Sequence, residues 1–221
     1  MPAFVYSIHM KVFICDISKV SDASLDKAVV FLSASEKERL SNMISVKRQR
    51  EFIAGHYLLR RLLSRYYNKP IEQIEIQTLQ SGALKPADAE LGFVSLSHSF
   101  DYVAIALCEF PVGLDMEKMR SKDNFNEILE QIDSVKPARD LIKQGYSAEE
   151  SFFRLWTKRE ALYKLNSVFA VSDKTEVFSY FHKNADFMLC VASPEAQSVV
   201  WENLLFEKCL QKTKNQLKSI H

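Results

Sequence analysis

No stretch of this 221-residue chain approaches the ~20 consecutive apolar residues of a membrane span, so no spanning helix is expected. The opening, Met1 to Lys11, lacks a basic start followed by a sustained apolar run. No secretory leader is read there, and a cytoplasmic location is expected. An excess of one charge is also missing: 29 Lys+Arg against 28 Asp+Glu leave a formal net charge of +1. Such a chain has no global field to draw it onto nucleic acid or anionic lipid, so any phosphate ligand has to be held locally. Cysteine is scarce. Cys15, Cys108, Cys190 and Cys209 lie far apart, three of them within apolar runs. They are expected as buried free thiols in a reducing compartment, which excludes a disulfide framework and a zinc site. His9, His56, His182 and His221 show no metal-ligand spacing. Low-complexity segments and internal repeats are absent.

What is present is length enough for a sizeable core, as one large domain or two small ones. Ala3 to Asp16 alternates like a strand and is followed by a polar loop with Ser21 and Asp22. Ser33 to Glu36 forms a capping-box pattern that starts a short helix running toward Met43. Apolar residues recurring from Phe52 to Tyr66 predict a helix over Val46 to Tyr67, with Pro70 as its stop and basic residues on its other face. Ile74 to Leu79 reads as strand, Gln80 to Leu91 as loop, and Phe93 to Leu96 and Tyr102 to Cys108 as two strands. The pattern restarts at Pro111. A strand over Val112 to Glu117 precedes helical pieces at Phe125 to Ile132 and Pro137 to Gln144, and Ser147 to Glu150 opens a helix through about Leu165. Strands are expected at Thr175 to Phe181, Phe187 to Ala192 and Val199 to Leu204. Both halves read as strand, helix and then antiparallel strands, so the fold class is α+β, built from sandwiches rather than a βαβ wrap. The boundary falls between residues 109 and 110, giving an N-terminal half, 1–109, and a C-terminal half, 110–221.

Chemistry concentrates in the second half. Residues i and i+2 of a strand project to one face, so Asp115 and Glu117 can offer oxygens to one hard cation, with Glu160 as a third donor. On a helix Trp156, Glu160 and Lys164 form one ridge, which sets a carboxylate beside an ammonium able to hold a metal-bound phosphate. Alone, Asp115 and Glu117 would read as a solvated edge strand. Glu160 and Lys164 would read as an ordinary helical pair worth about 0.3–0.5 kcal/mol.

The surrounding motifs change that weighting. Gly113-Leu114-Asp115-Met116-Glu117 and Trp156-Thr157-Lys158-Arg159-Glu160-Ala161-Leu162-Tyr163-Lys164, with Asp115 and Glu160 separated by 45 positions, resemble the signature of the 4'-phosphopantetheinyl transferases of the surfactin-synthetase-activating (Sfp) type. Only Arg159 departs, where that family usually has Lys. Leu84-Lys85-Pro86 is similar to the family's Gly-Lys-Pro. Ser95-Leu96-Ser97-His98-Ser99 is similar to its Asn-(Ile/Leu)-Ser-His-Ser. Arg50 to Gly55 followed by Leu58-Leu59-Arg60 resembles a further family block, in which Glu51 stands where Arg is usual. After Lys164 the chain continues Leu165-Asn166-Ser167-Val168-Phe169-Ala170, where the family usually has a glycine-containing loop. The likeness runs from about Phe31 to Ser193.

The resemblance implies a pseudo-twofold arrangement of two similar α/β-sandwich halves in one monomeric chain, with the active site in the cleft between them. It implies transfer of the phosphopantetheine arm of coenzyme A to a serine of an apo acyl or peptidyl carrier protein, with release of adenosine 3',5'-bisphosphate. Asp115, Glu117 and Glu160 would converge on one Mg²⁺, with Mn²⁺ as an alternative. Lys164 would steady the phosphate, and Glu160 would be ligand, base or both. Lys85, Ser97 and His98 would contact coenzyme A from the N-terminal half. Arg50 and Arg39, with Lys37, Lys47, Arg48, Arg60, Arg61 and Arg65 as competitors, are the candidates for its 3'-phosphate. The C-terminal half would carry the metal site and dock the carrier near Phe125 to Ile132. Two rivals stand beside this: a non-catalytic carrier-binding module of the same fold, opposed by the intact acidic and lysine residues, and a single-strand nucleic-acid binder, opposed by the near-neutral charge.

Overall fold

The structure, a computed structural model, describes residues 10–120, 125–131, 134–172 and 174–211. In chain order the first part runs β1 (Lys11–Asp16), α1 (Asp22–Val29), α2 (Ala34–Ser41), α3 (Val46–Tyr67), β2 (Ile76–Thr78), β3 (Leu84–Pro86), β4 (Phe93–Ser99) and β5 (Tyr102–Cys108). The second continues with β6 (Gly113–Lys118), α4 (Phe125–Gln131), α5 (Val135–Lys143), α6 (Ala148–Val168), β7 (Phe178–Lys183), β8 (Phe187–Ser193) and β9 (Val200–Leu204), before helical residues at 206–211. The expected α+β character holds. None of the described helices is long and apolar enough to cross a membrane.

Serine starts four of these helices. The hydroxyls of Ser21, Ser33, Ser45 and Ser147 accept from the backbone amides of Ser24, Glu36, Arg48 and Glu150. Each thereby occupies one of the donors that a helix N-terminus leaves without an internal partner. At Ser33 the reciprocal capping box is complete, because the Glu36 carboxylate accepts from the Ser33 amide. At Ser147 the hydroxyl bond forms, while the Glu150 carboxylate pairs with Lys183 at 2.6 Å.

The segment expected as a polar loop around Ser21 and Asp22 is therefore a cap and a helix, and the loop at 80–91 contains β3 and a 3-10 turn, Ala89–Leu91. β3 survives with three residues because it pairs with β2. β4 extends three residues beyond Leu96 to Ser99, through pairing with β5. β7 starts at Phe178 rather than Thr175. The early strand residues Ala3 to His9, and Ile132 of the expected α4, lie outside the described residues.

Two sheets carry the core. One has the order β4-β5-β1-β9 and the other β6-β8-β7, with β2-β3 as a separate pair. β9 joins the first sheet by pairing parallel to β1, although it follows the whole second sheet in the chain. One face of the first sheet, with Phe13, Cys15, Ile105 and Leu107, packs with Tyr57, Leu58 and Leu62 of α3. Its other face, with Val12, Ile14, Ala104 and Ala106, meets Leu114, Met116, Leu189 and Val191 of the second sheet. Beyond that, Cys190 and Ala192 of β8 cluster with Ala161 and Leu165 of α6. The alternating strand residues thus fill layers in the order α3, first sheet, second sheet, α6. Cys15, Cys108 and Cys190 are buried thiols, and Cys209 is half-buried; none of the four is in a disulfide. Burial pushes Cys15 and Cys190 up to about 12, which leaves both unreactive at neutral pH.

Candidate active site

Gly113 lets α6 pack closely against β6. A Cβ there would stand 2.0 Å from the Ala161 carbonyl oxygen and 2.5 Å from the Leu165 amide nitrogen. Any side chain would therefore push the backbone of α6 off β6. With glycine, α6 lies close on the strand, and its ridge of Trp156, Glu160 and Lys164 comes to line one cleft with Asp115 and Glu117. The cleft has a volume of about 400 Å³ and is also walled by β4 and α3.

At its base Lys164 Nζ lies 2.8 Å from Asp115 Oδ1 and 3.1 Å from Ser97 Oγ, and the Ser97 hydroxyl donates to the same Asp115 oxygen at 3.0 Å. Asp115 is 5% exposed, and its second oxygen, Oδ2, is buried with no hydrogen-bond partner. A buried polar atom left unpaired costs about 1–3 kcal/mol, and more on a charged group, so Oδ2 is a place where a cation or a donor would be held strongly. Carboxylate oxygens of this kind suit a hard divalent ion. Among the described residues no three His, Cys, Asp or Glu side chains form a ready metal cluster. Asp115, Glu117 and Glu160 share the cleft wall without closing on a single point, and Lys164 provides the positive charge beside Oδ1.

A second polar group in the lining is built by α3 and β4. Arg48 Nη1 lies 2.9 Å from His98 Nδ1, and Glu51 Oε2 lies 3.2 Å from both. Glu51 is 2% exposed, whereas the Arg48 side chain is 60% exposed, so a buried carboxylate tethers a solvent-facing guanidinium and an imidazole. Arg39 stacks over the Phe52 ring at 5.5 Å, and both line the cleft.

Behind them lies a closed charge network. Glu36 Oε1 meets His56 Nδ1 at 2.6 Å, and Oε2 accepts from Arg60 at 2.7 Å and from the Ser33 amide at 2.8 Å. Burial alone would raise the Glu36 carboxyl, but the His56 hydrogen bond and the neighbouring positive charges outweigh it and hold the carboxyl down to about 2. Burial lowers His56 against the pull of Glu36. Arg60 thus donates to one Glu36 oxygen while the His56 ring nitrogen meets the other.

No family model matches the chain. It is 31% identical over 166 residues to the 4'-phosphopantetheinyl transferase psf-1 of Bacillus pumilus, a match covering 71% of this chain and 68% of that one. The chain belongs to the 4'-phosphopantetheinyl transferases. It is also 24% identical over 161 residues to the transferase Sfp of Bacillus subtilis strain 168, covering 72% and 68% of the two chains. To the transferase AcpT of Salmonella typhimurium it is 31% identical over 119 residues, covering 53% and 58%.

Of the residues singled out in the sequence of this transferase, Arg39, Ser97, His98, Asp115, Glu117, Glu160 and Lys164 all line the cleft. Arg50 and Lys85 do not. Arg50 pairs with Asp22 and donates to the carbonyls of Ile17 and Val20, which ties α3 to the start of α1. Lys85 is exposed on β3, while its neighbours Ser81 to Leu84 reach the cleft wall. Arg48 takes the cleft position on α3 that the sequence left open among several basic residues. The signal was available: Arg48, Phe52 and His56 recur at i, i+4 and i+8, as do Trp156, Glu160 and Lys164, and both ridges face the cleft. Tyr163, Ser167 and Val168 also line it, because α6 continues helically to Val168 in place of the glycine-containing loop usual in the family.

Proposed function

We propose that this transferase moves the 4'-phosphopantetheine arm of coenzyme A onto a serine hydroxyl of an apo acyl or peptidyl carrier protein, in a Mg²⁺-dependent reaction that releases adenosine 3',5'-bisphosphate. The observation that carries the reading is the buried, unpartnered Asp115 Oδ2 in a cleft shared with Glu117, Glu160, Lys164 and the Arg39, Arg48 and His98 cations or donors. In this reading the nucleotide phosphates lie toward Arg39, Arg48 and His98, whose charge is local, as a chain of net charge +1 requires.

Asp115, Glu117 and Glu160 would hold the divalent ion, which when bound supplies neutralisation of charge on the pyrophosphate oxygens. The remaining work falls to the chain's own side chains. The carrier serine oxygen bonds to the phosphorus that bears the pantetheine arm as the bond from that phosphorus to the bridging oxygen breaks, and adenosine 3',5'-bisphosphate leaves. Glu160, on the half-buried ridge of α6, accepts the serine proton. Lys164, anchored on Asp115 Oδ1, directs its charge at the migrating phosphate and stabilises the transition state in a low-dielectric wall. Two halves, 1–109 and 110–221, related by a pseudo-twofold axis in a monomer, would then divide the labour: nucleotide contacts in the first, metal and carrier in the second, with the carrier near α4.

The test is incubation with coenzyme A, Mg²⁺ and an apo carrier, read by intact-protein mass spectrometry. A gain of one phosphopantetheine arm on the carrier serine is expected. Binding of the carrier with no mass gain would replace this reading by that of a non-catalytic module.

A further inference from the structure

β4 and β6 are the facing edges of two different sheets, and serine hydroxyls join them in place of a backbone ladder. Ser95, Ser97 and Ser99 project to one face of β4, and their Oγ atoms accept from the amides of Leu114, Met116 and Lys118 at 2.9, 3.2 and 3.0 Å. The positions alternating with those amides on β6 are Gly113, Asp115 and Glu117. Two of the three hydroxyls therefore have a carboxylate in reach: Ser97 donates to Asp115 Oδ1 and Ser99 to Glu117 Oε2, each at 3.0 Å. Ser95 stands level with Gly113, which has no side chain to receive its proton.

A hydroxyl has one proton and two lone pairs. At Ser97 the proton goes to Asp115, while the Met116 amide and Lys164 Nζ take the lone pairs. The hydroxyl is thus used within the protein, and the residue is 4% exposed. We infer that Ser97 and Ser99 are positioning residues, which fix one oxygen of Asp115 and one of Glu117 so that these carboxylates are presented to the cation, whereas Ser95 serves only the joint between the sheets. The inference rests on the functional reading above, and it adds a role toward Asp115 to the contact with coenzyme A expected for Ser97.

The three serines provide their own control, since each Ser→Ala change removes one acceptor from a β6 amide and only two remove a donor to a carboxylate. Mn²⁺ binding is to be measured by electron paramagnetic resonance and calorimetry, in the presence of coenzyme A, on the wild-type chain and on Ser95→Ala, Ser97→Ala, Ser99→Ala and Ser99→Thr. Residues that orient metal ligands typically govern affinity by 10–100-fold, so Ser97→Ala and Ser99→Ala are expected to raise the Mn²⁺ Kd about 10-fold or more and Ser95→Ala less than about twofold. Melting temperatures should fall alike for the three alanine variants, Ser99→Thr should restore affinity, and kcat at saturating metal should be retained better than the metal KM. Should Ser97→Ala fail to fold, the contrast between Ser99→Ala and Ser99→Thr decides. Equal loss of Mn²⁺ affinity in Ser95→Ala and Ser99→Ala, or wild-type affinity in Ser99→Ala, overturns the assignment. If the wild type transfers the arm and Ser99→Ala keeps its Kd, only the serine role falls; if the wild type neither binds Mn²⁺ nor transfers, the functional reading falls with it.

Discussion

Two buried carboxylates, Glu36 in the first half and Asp115 in the second, are equally hidden from solvent at 5% exposure and differ in how their oxygens are used. Both oxygens of Glu36 are taken, by His56, Arg60 and the Ser33 amide, all within the protein. Asp115 has one oxygen held by Lys164 and Ser97 and the other left without a partner. A fully satisfied buried network specifies and rigidifies a fold, whereas a half-satisfied one is held at a cost the rest of the structure must cover. The comparison separates a satisfied charge cluster from an unsatisfied one by hydrogen-bond accounting alone, without reference to motif.

Replacing Asp115 with Ala is the sharpest way to break the comparison. Transfer should fall about 10³-fold or more, since each preorganised charge-stabilising group typically contributes 10²–10³, while the circular dichroism spectrum stays that of the wild type. Full activity in that variant would exclude Asp115 as a ligand. Glu36→Gln should do the reverse: breaking a buried ion pair lowers unfolding stability by about 3 kcal/mol, read by denaturant titration, with kcat largely kept in the folded fraction. Lys164→Met should lower kcat about 10²-fold, with a smaller change in the KM for coenzyme A, since the proposed role of the charge it removes is toward the migrating phosphate.

The pH dependence sharpens the contrast further. Glu36 is held at about 2 in the folded chain against an ordinary value of 4.5, so its contribution is complete above 4.5 and is lost as the pH falls toward 2. The melting-temperature gap between wild type and Glu36→Gln should therefore be constant from neutral pH down to the mid-fours and close across the window below. A gap that persists at the acidic end would show that packing, not charge, supports α2. The smallest expected effect concerns the carrier. Lys47, Lys118 and Arg120 gather around the Phe100 ring, and Lys118 directly follows Glu117. Raising salt from about 50 to about 300 mM should raise the KM for an acidic carrier about threefold, by screening this patch. An unchanged KM would remove electrostatic steering from the account.

The long helices α3 and α6 were legible because their signals are local: apolar periodicity with a Pro70 stop for α3, and for α6 a Ser147 cap one residue before the first helical turn, where the pattern places it. The strand carboxylates were legible for the same reason, as residues two apart on a strand share a face. α1 was not, because its Ser21 cap precedes only eight residues and the stretch reads as polar. Arg50 and Arg48 are two positions apart on one helix, hence about 200° apart around its axis. Choosing between them needs the rotation of α3 over β4, which Gly55 sets by letting Leu96 approach to 2.9 Å of a would-be Cβ. The serine joint was likewise hidden, since an alternating Ser pattern carries no mark of the strand it will face.

β9 gives the molecule a dependence in time as well as in space. The residues that close the open side of β1 are made only after the whole second sheet has been synthesised. Until the ribosome has released that last strand, the early sheet has a bare rim able to pair with any other extended segment. A chain truncated before Val200 would keep every cleft residue named above and still carry that rim, so its failure would be expected first as aggregation during expression rather than as slow turnover.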